Sequence, residues 1–126
     1  MVNLPRFTRL CAALLLAVSC ALAQVDLKAD AVVYFGSASN TSAPAVIDEQ
    51  KVREATPEWQ TIQADGVRRG SARYMLLMGE MDRRIRTAAS TAASSASKDL
   101  VVRSGDITND NGRTAVDLTS DVIANL

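Results

Sequence analysis

The side chains that carry most enzyme chemistry are scarce in this 126-residue chain. It has no histidine, and its two cysteines, Cys11 and Cys20, both stand near its start. That removes the usual Ser-His and Cys-His nucleophile pairs from the rest of the chain, and with them the commonest zinc ligands. Three other patterns invite chemistry. Ser95 to Lys98, "SASK", has the spacing of a Ser-x-x-Lys dyad, but it falls at the serine-rich end of a helical stretch without the motifs that accompany such dyads. "DITNDNG", Asp106 to Gly112, sets oxygen-bearing side chains before a glycine as a calcium loop does. Its spacing fails, because Ile107 stands where the first carboxylate belongs and Leu118 where the bidentate glutamate belongs, and a turn accounts for the same residues. Asp48 and Glu49 are adjacent carboxylates, and on a strand adjacent side chains point to opposite faces, so they do not make a general acid and base pair. The expectation is a protein without catalytic activity, metal or cofactor.

Charge is the remaining chemical resource. Arg68, Arg69, Arg73, Arg83, Arg84 and Arg86 lie close together, with Glu80 and Asp82 among them. One reading is a surface for anions such as lipid headgroups, lipopolysaccharide or acidic peptide segments. The other is a solvated helix face, since Glu80 to Arg84 and Asp82 to Arg86 stand at i, i+4 and can pair locally. Charge overall does not point to nucleic acid. The 14 basic and 14 acidic residues balance, and beyond Ala23, with Arg6 and Arg9 left behind, the net charge is −2.

The elements that must position these residues can be read from pattern. Arg6 and Arg9 precede an apolar run from Leu10 to Val18, and "ALA" at Ala21 to Ala23 offers small residues to a signal peptidase. Residues 1–23 are therefore expected to be a cleaved export signal, with lipidation at Cys20 as the alternative. The run is shorter than the roughly 18 to 20 apolar residues of a membrane span. "AVVYFG", Ala31 to Gly36, predicts a strand, and "SASNTSAP" after it predicts a flexible link, so residues 24–44 are read as an N-terminal strand and tether. A brief strand follows at Val46 to Asp48. Thr56, Pro57 and Glu58 open a short helix that Asp65 and Gly66 close.

The longest element is a helix between Gly70 and Ser97. Tyr74, Met78, Met81, Ile85, Ala88 and Ala92 recur along it at intervals of 4, 3, 4, 3 and 4, the seam of a helix that packs lengthwise. At about 40 Å it exceeds what a domain of about 100 residues needs, so it is expected to project or to lie against a partner. Tyr74, Met78, Met81 and Ile85 are thus the expected oligomer or client contact, with core packing as the alternative, and methionine there suits an adaptable surface. "DLVV", Asp99 to Val102, reads as a buried strand, Asn111 and Gly112 as a tight hairpin turn, and "TAVDL" as its partner strand. Thr119 is expected to cap a terminal helix too short to stand without docking.

Two of these stretches together resemble a known family. Val46, Ile47, Asp48, Gln50, Lys51, Val52, Thr56 and Pro57 in "AVIDEQKVREATPEWQ" are similar to the first strand and following turn of the OmpH/Skp periplasmic chaperones. "DLVVRSGDI" and the closing "VDLTSDVIANL" are similar to that family's second half, where a helix leads into a "DLVV" strand, a hairpin and a terminal helix. The resemblance covers about Ala45 to Leu126 and implies an α+β fold: a small β-sheet body, a long central helix and a short C-terminal helix. It further implies a homo-oligomer, a trimer in that family, that holds unfolded outer-membrane proteins in the periplasm. The family's helical arms need more chain than the fewer than fifty residues between Val52 and Asp99, so the arms here are expected to be reduced.

Overall fold

A computed structural model describes residues 24–126; the segment expected to be an export signal, with both cysteines, lies outside the described residues. In chain order the elements are β1 (Asp26–Leu27), β2 (Val33–Gly36), a 3-10 turn at Ala38–Asn40, β3 (Pro44–Ile47), α1 (Glu49–Glu54), α2 (Pro57–Ala64), α3 (Ala72–Ser95), β4 (Leu100–Arg103), β5 (Ile107–Asn109), β6 (Val116–Asp117) and α4 (Thr119–Ala124). Helices and strands are mixed along the chain, an α+β arrangement with one long helix and a small sheet.

Four strands form the main sheet in the order β2-β4-β3-β6. β3 and β4 run parallel with Ala45 beside Val101 and Val46 beside Val102, and parallel neighbours require a long crossover, here all three helices α1 to α3. β2 pairs antiparallel with β4, so the strand expected at Ala31 to Gly36, formed over Val33–Gly36, belongs to the main sheet. β1 and β5 make a separate antiparallel ribbon.

The period of two in β3 and β4 sorts their side chains onto two cores. Ala45, Ile47 and Val101 face the helices, joining Val52, Met81, Ile85, Ala88, Ala89, Ala92, Ala93, Leu118 and Val122. Leu100 and Val102 face the other way, against Val25 and the half-buried Leu27, Val33, Val46 and Ile107. A strand covered on both faces has no polar face to show, which is why "DLVV" reads as uninterrupted apolar sequence. On the helix side, the alanines of the lower half of α3 let its backbone lie close to the sheet.

Several expectations are corrected. The heptad seam does not await a partner: Met81 and Ile85 are each 2% exposed and pack on this chain's own sheet, as do Ala88 and Ala92. Asn111 and Gly112 do take the positive φ angles of a tight turn, +52° and +82°, but "DLVV" and "TAVDL" do not pair. β2 and β3 occupy both edges of β4, so β6 goes instead to the free edge of β3, with Ala45 beside Val116. Thr119 does not cap α4. The Asp117 carboxylate accepts from the Thr119 backbone N–H at 2.9 Å and from its hydroxyl at 2.5 Å, while that hydroxyl accepts from the Asp48 N–H.

The loop from Ser37 to Ala43 is not a free tether either. Its polar groups converge on one carboxylate: Asp99 accepts from Thr41 Oγ1 (2.5 Å), Ala43 N (3.0 Å), Ser42 N (2.7 Å) and Ser42 Oγ (2.9 Å). The small polar residues that cannot bury a core are here the donors for a half-buried anion's charge.

Candidate functional site

The surface left available by this packing lies around α2 and the first turns of α3. Its anchor is the start of α2. Thr56 is buried, donates its hydroxyl to Arg53 O at 2.6 Å and accepts from Trp59 N at 3.2 Å, while Pro57, which has no N–H to satisfy, takes the first helical position. This fixes Trp59, the single tryptophan of the chain, at the third helical position and half-buried against the core.

Glu58 then ties α2 to α3. Its carboxylate, on a residue 6% exposed, receives Arg84 Nε at 2.9 and 3.0 Å on its two oxygens. Burial would raise the Glu58 carboxyl, but the bonds and charge of Arg84 outweigh it and hold the group below the ordinary glutamate range. The expected Glu80 to Arg84 pair is therefore replaced by a tertiary one, because Glu58 is a desolvated acid that needs a cation more than the exposed Glu80 does.

The arginine group is divided by the fold rather than gathered. Arg73 pairs with Asp65 at 2.6 Å. Arg86 pairs with Asp82 at 2.9 Å as the spacing implied, donates to Val33 O at 2.6 Å and lies over the Tyr34 ring, 5.5 Å from its centroid. Arg83 borders a hollow of about 520 Å³ that Glu58, Glu80, Arg84, Thr87, Asn125 and Leu126 also line, so both signs of charge meet there. Arg68 and Arg69 are exposed and have no acid partner among the described residues.

Of the four expected contact residues, only two reach the surface. Tyr74 and Met78 are half-buried, and Met81 and Ile85 are in the core. The exposed apolar residues of α3 are instead Met75 at 65% and Leu76 at 63%, off the seam.

The other chemical patterns are absorbed structurally. Asp106 accepts from Val32 N at 2.8 Å and pairs with Arg103, so the acid that opens "DITNDNG" closes a loop. Asp48 caps α1 through Lys51 N. Glu49 takes the Tyr34 hydroxyl at 2.6 Å and Arg53 at 3.1 Å; burial first, then the Glu49 bond, push the Tyr34 hydroxyl well above its ordinary range. Ser95 is exposed at the end of α3. Among the described residues no group of three or more His, Cys, Asp or Glu side chains is placed to hold a metal ion, and no helix is long and apolar enough to cross a membrane.

No family model, curated protein or solved structure matches this chain.

What the fold does bring together is a pair of hollows, each about 260 Å³, on either side of Trp59. One is lined by Glu49, Gln50, Arg53 and Glu54, the other by Ile62, Gln63, Gly66, Val67, Arg69 and Tyr74. Neither was singled out from pattern, although the tryptophan placed on a short, firmly capped helix was the available signal. Such a surface can bind but offers no nucleophile with a base beside it.

Proposed function

We propose that this chain is an exported, periplasmic binding protein of the OmpH/Skp type, which holds unfolded outer-membrane proteins or assists envelope assembly without catalysis. The observation that carries the reading is the parallel laying of "AVI" in β3 beside "LVVR" in β4, with the terminal helix seated on the same core through Leu118 and Val122. The end motifs that resemble the family imply a body built in this way from two separated parts of the chain. Self-association, as a trimer by the resemblance, completes the proposal. Arg68 and Arg69, with Met75 and Leu76, suit this end of the molecule to client or membrane-surface contact.

The test combines mass in solution with the ability to keep an unfolded outer-membrane protein from aggregating. An oligomer that suppresses aggregation is expected; a strict monomer without that effect refutes the reading. A second reading, a structural or assembly component of the envelope that lacks chaperone activity, is favoured by one observation. α3 spends Met81 to Ala93 on its own sheet, and so leaves no long arm to enclose a client. A stable oligomer with no affinity for unfolded chains selects it.

A further inference from the structure

The turn between β5 and β6 carries an uncatalysed reaction in its sequence and a restraint on that reaction in its bonds. Asn111 precedes Gly112, whereas Asn40, Asn109 and Asn125 precede Thr41, Asp110 and Leu126. The backbone nitrogen that follows an asparagine can close a five-membered ring on that asparagine's side-chain carbonyl carbon, and a glycine there puts no Cβ in the way. Asn111 and Gly112 are both exposed, and a Cβ built on Gly112 would meet nothing within 4 Å. Two bonds hold the resting turn. Gly112 N–H donates to Asp110 Oδ1 at 3.0 Å, and Asn111 Nδ2 donates to Gln24 O. The first engages the nitrogen that would attack, and the second engages the nitrogen that would leave. Both lie at the surface, where local opening costs little.

We propose that Asn111 is a site of self-deamidation, restrained by these two bonds and acting on the docking of the N-terminal strand. When the turn opens, Gly112 N gives its proton to water and attacks Asn111 Cγ. The N–Cγ bond forms, the Cγ–Nδ2 bond breaks, and the departing nitrogen takes up a proton to leave as ammonia. Water then opens the resulting succinimide at one of its two carbonyl carbons. Breaking the N–Cγ bond gives aspartate; breaking the bond from Gly112 N to the Asn111 backbone carbonyl carbon gives isoaspartate, with the main chain rerouted through Cγ. Either product replaces an amide donor by a carboxylate, which has no proton to give to Gln24 O. Gln24 leads directly into Val25, which is 3% exposed and packs with Leu100 and Val102. Lys28 N–H to Asp106 O at 2.9 Å and Thr108 Oγ1 to Asp26 O at 3.0 Å are untouched, so conversion loosens the start of β1 and leaves the main sheet in place. The site is independent of the holding function proposed above.

Protein held at neutral pH and sampled over days by peptide mass mapping, with an enzymatic assay for isoaspartate, reads the reaction. Conversion of amide to acid is expected at Asn111, with isoaspartate formed there, ahead of Asn109 and Asn125 in the same samples. Asp110→Ala frees Gly112 N and should speed conversion about two- to tenfold, the weight of one net hydrogen bond. Unfolding in urea releases both bonds and should speed it further. Asn111→Asp carries the product's charge from the start, and the amides of residues 24–27 should exchange about two- to tenfold faster in it, while those of β4 stay unchanged. No conversion at Asn111, equal conversion at Asn109 or Asn125, or a rate that neither Asp110→Ala nor urea alters overturns the proposal. Unchanged exchange of residues 24–27 in Asn111→Asp overturns the link to β1.

Discussion

Asp99 is one carboxylate that holds three successive loop residues, Thr41 to Ala43, and its removal should be felt as a pH-dependent loss of stability. Burial alone would raise its carboxyl, but the bonds from Thr41, Ser42 and Ala43 outweigh that and hold it down to about 2. Against an ordinary aspartate near 3.9, and at about 1.36 kcal/mol per tenfold change in proton affinity, the bonds to the charged form contribute about 2.5 kcal/mol. Asp99 is only partly buried, so solvent screening reduces this to about 1–2 kcal/mol. Because the folded protein holds the proton less tightly than the unfolded chain, the contribution is complete above about pH 5. It is lost as pH falls through about 2. Asp99→Asn should therefore lower Tm at pH 7 by about 5–15 °C, taking about 4–8 °C per kcal/mol for a domain of this size.

The discriminating measurement is the gap between the two proteins, followed by circular dichroism during thermal unfolding from pH 7 down to pH 2. Protonated Asp99 is nearly an asparagine in charge, so the gap should close across the acid range. Comparison with Asp99→Asn isolates this group from Glu58, Asp106 and Asp117, which are also held below their ordinary ranges. A gap of constant size from pH 7 to pH 2 would refute the reasoning, since it would place the effect in packing rather than in charge. Thr41→Val should lose much of its own cost in the Asp99→Asn background, because both remove the same 2.5 Å bond.

Two glycines predict opposite outcomes for the same substitution. A Cβ on Gly36, where φ is +78°, would lie 1.9 Å from the Asp99 carbonyl oxygen, so Gly36→Ala should destabilise by about 2–4 kcal/mol in denaturant unfolding. Gly79 lies within α3 with nothing within 4 Å of its would-be Cβ, and Gly79→Ala should stabilise by about 0.5–1 kcal/mol. Arg84→Ala leaves the buried Glu58 carboxylate without its partner and should cost about 1–3 kcal/mol, whereas Arg73→Ala, whose partner Asp65 is exposed, should cost under about 1 kcal/mol. Urea titrations of the two arginine variants side by side check the order; an equal cost would refute it.

What was legible in the chain is what local chemistry decides. Thr56 and Pro57 start a helix because a hydroxyl acceptor and a missing N–H belong at those two positions, and the helix begins where they say. Asn111 and Gly112 turn because they tolerate positive φ. That Val46 to Asp48 and "DLVV" lie in strands was legible from their apolar pattern; the structure pairs them in parallel, Ala45 beside Val101. What local chemistry leaves open is which surface a pattern faces. The seam of α3 is equally consistent with a neighbouring molecule or its own sheet, since period reports only that one side is apolar. A carboxylate four residues from an arginine reports reach, not competition, so Glu58, 26 positions from Arg84, was invisible to it. The loop of Ser37 to Ala43 looked unable to order itself because its partner, Asp99, lies more than fifty residues away.

These misplacements have one consequence for function. A seam that is free in an extended arm becomes core when the chain between the two end strands is short enough for α3 to fold back on the sheet. The alanines at positions 88, 89, 92 and 93 make that return close, and Met81 and Ile85 then disappear from the surface. The part of α3 that stays at the surface lies beyond the sheet, where α2 lies beside it. There the helix offers Tyr74 to a groove with Trp59, and Met75 and Leu76 to solvent. What the junction of the two helices leaves at the surface is a small hollow lined by Trp59, Arg69 and Tyr74 rather than a long apolar stripe.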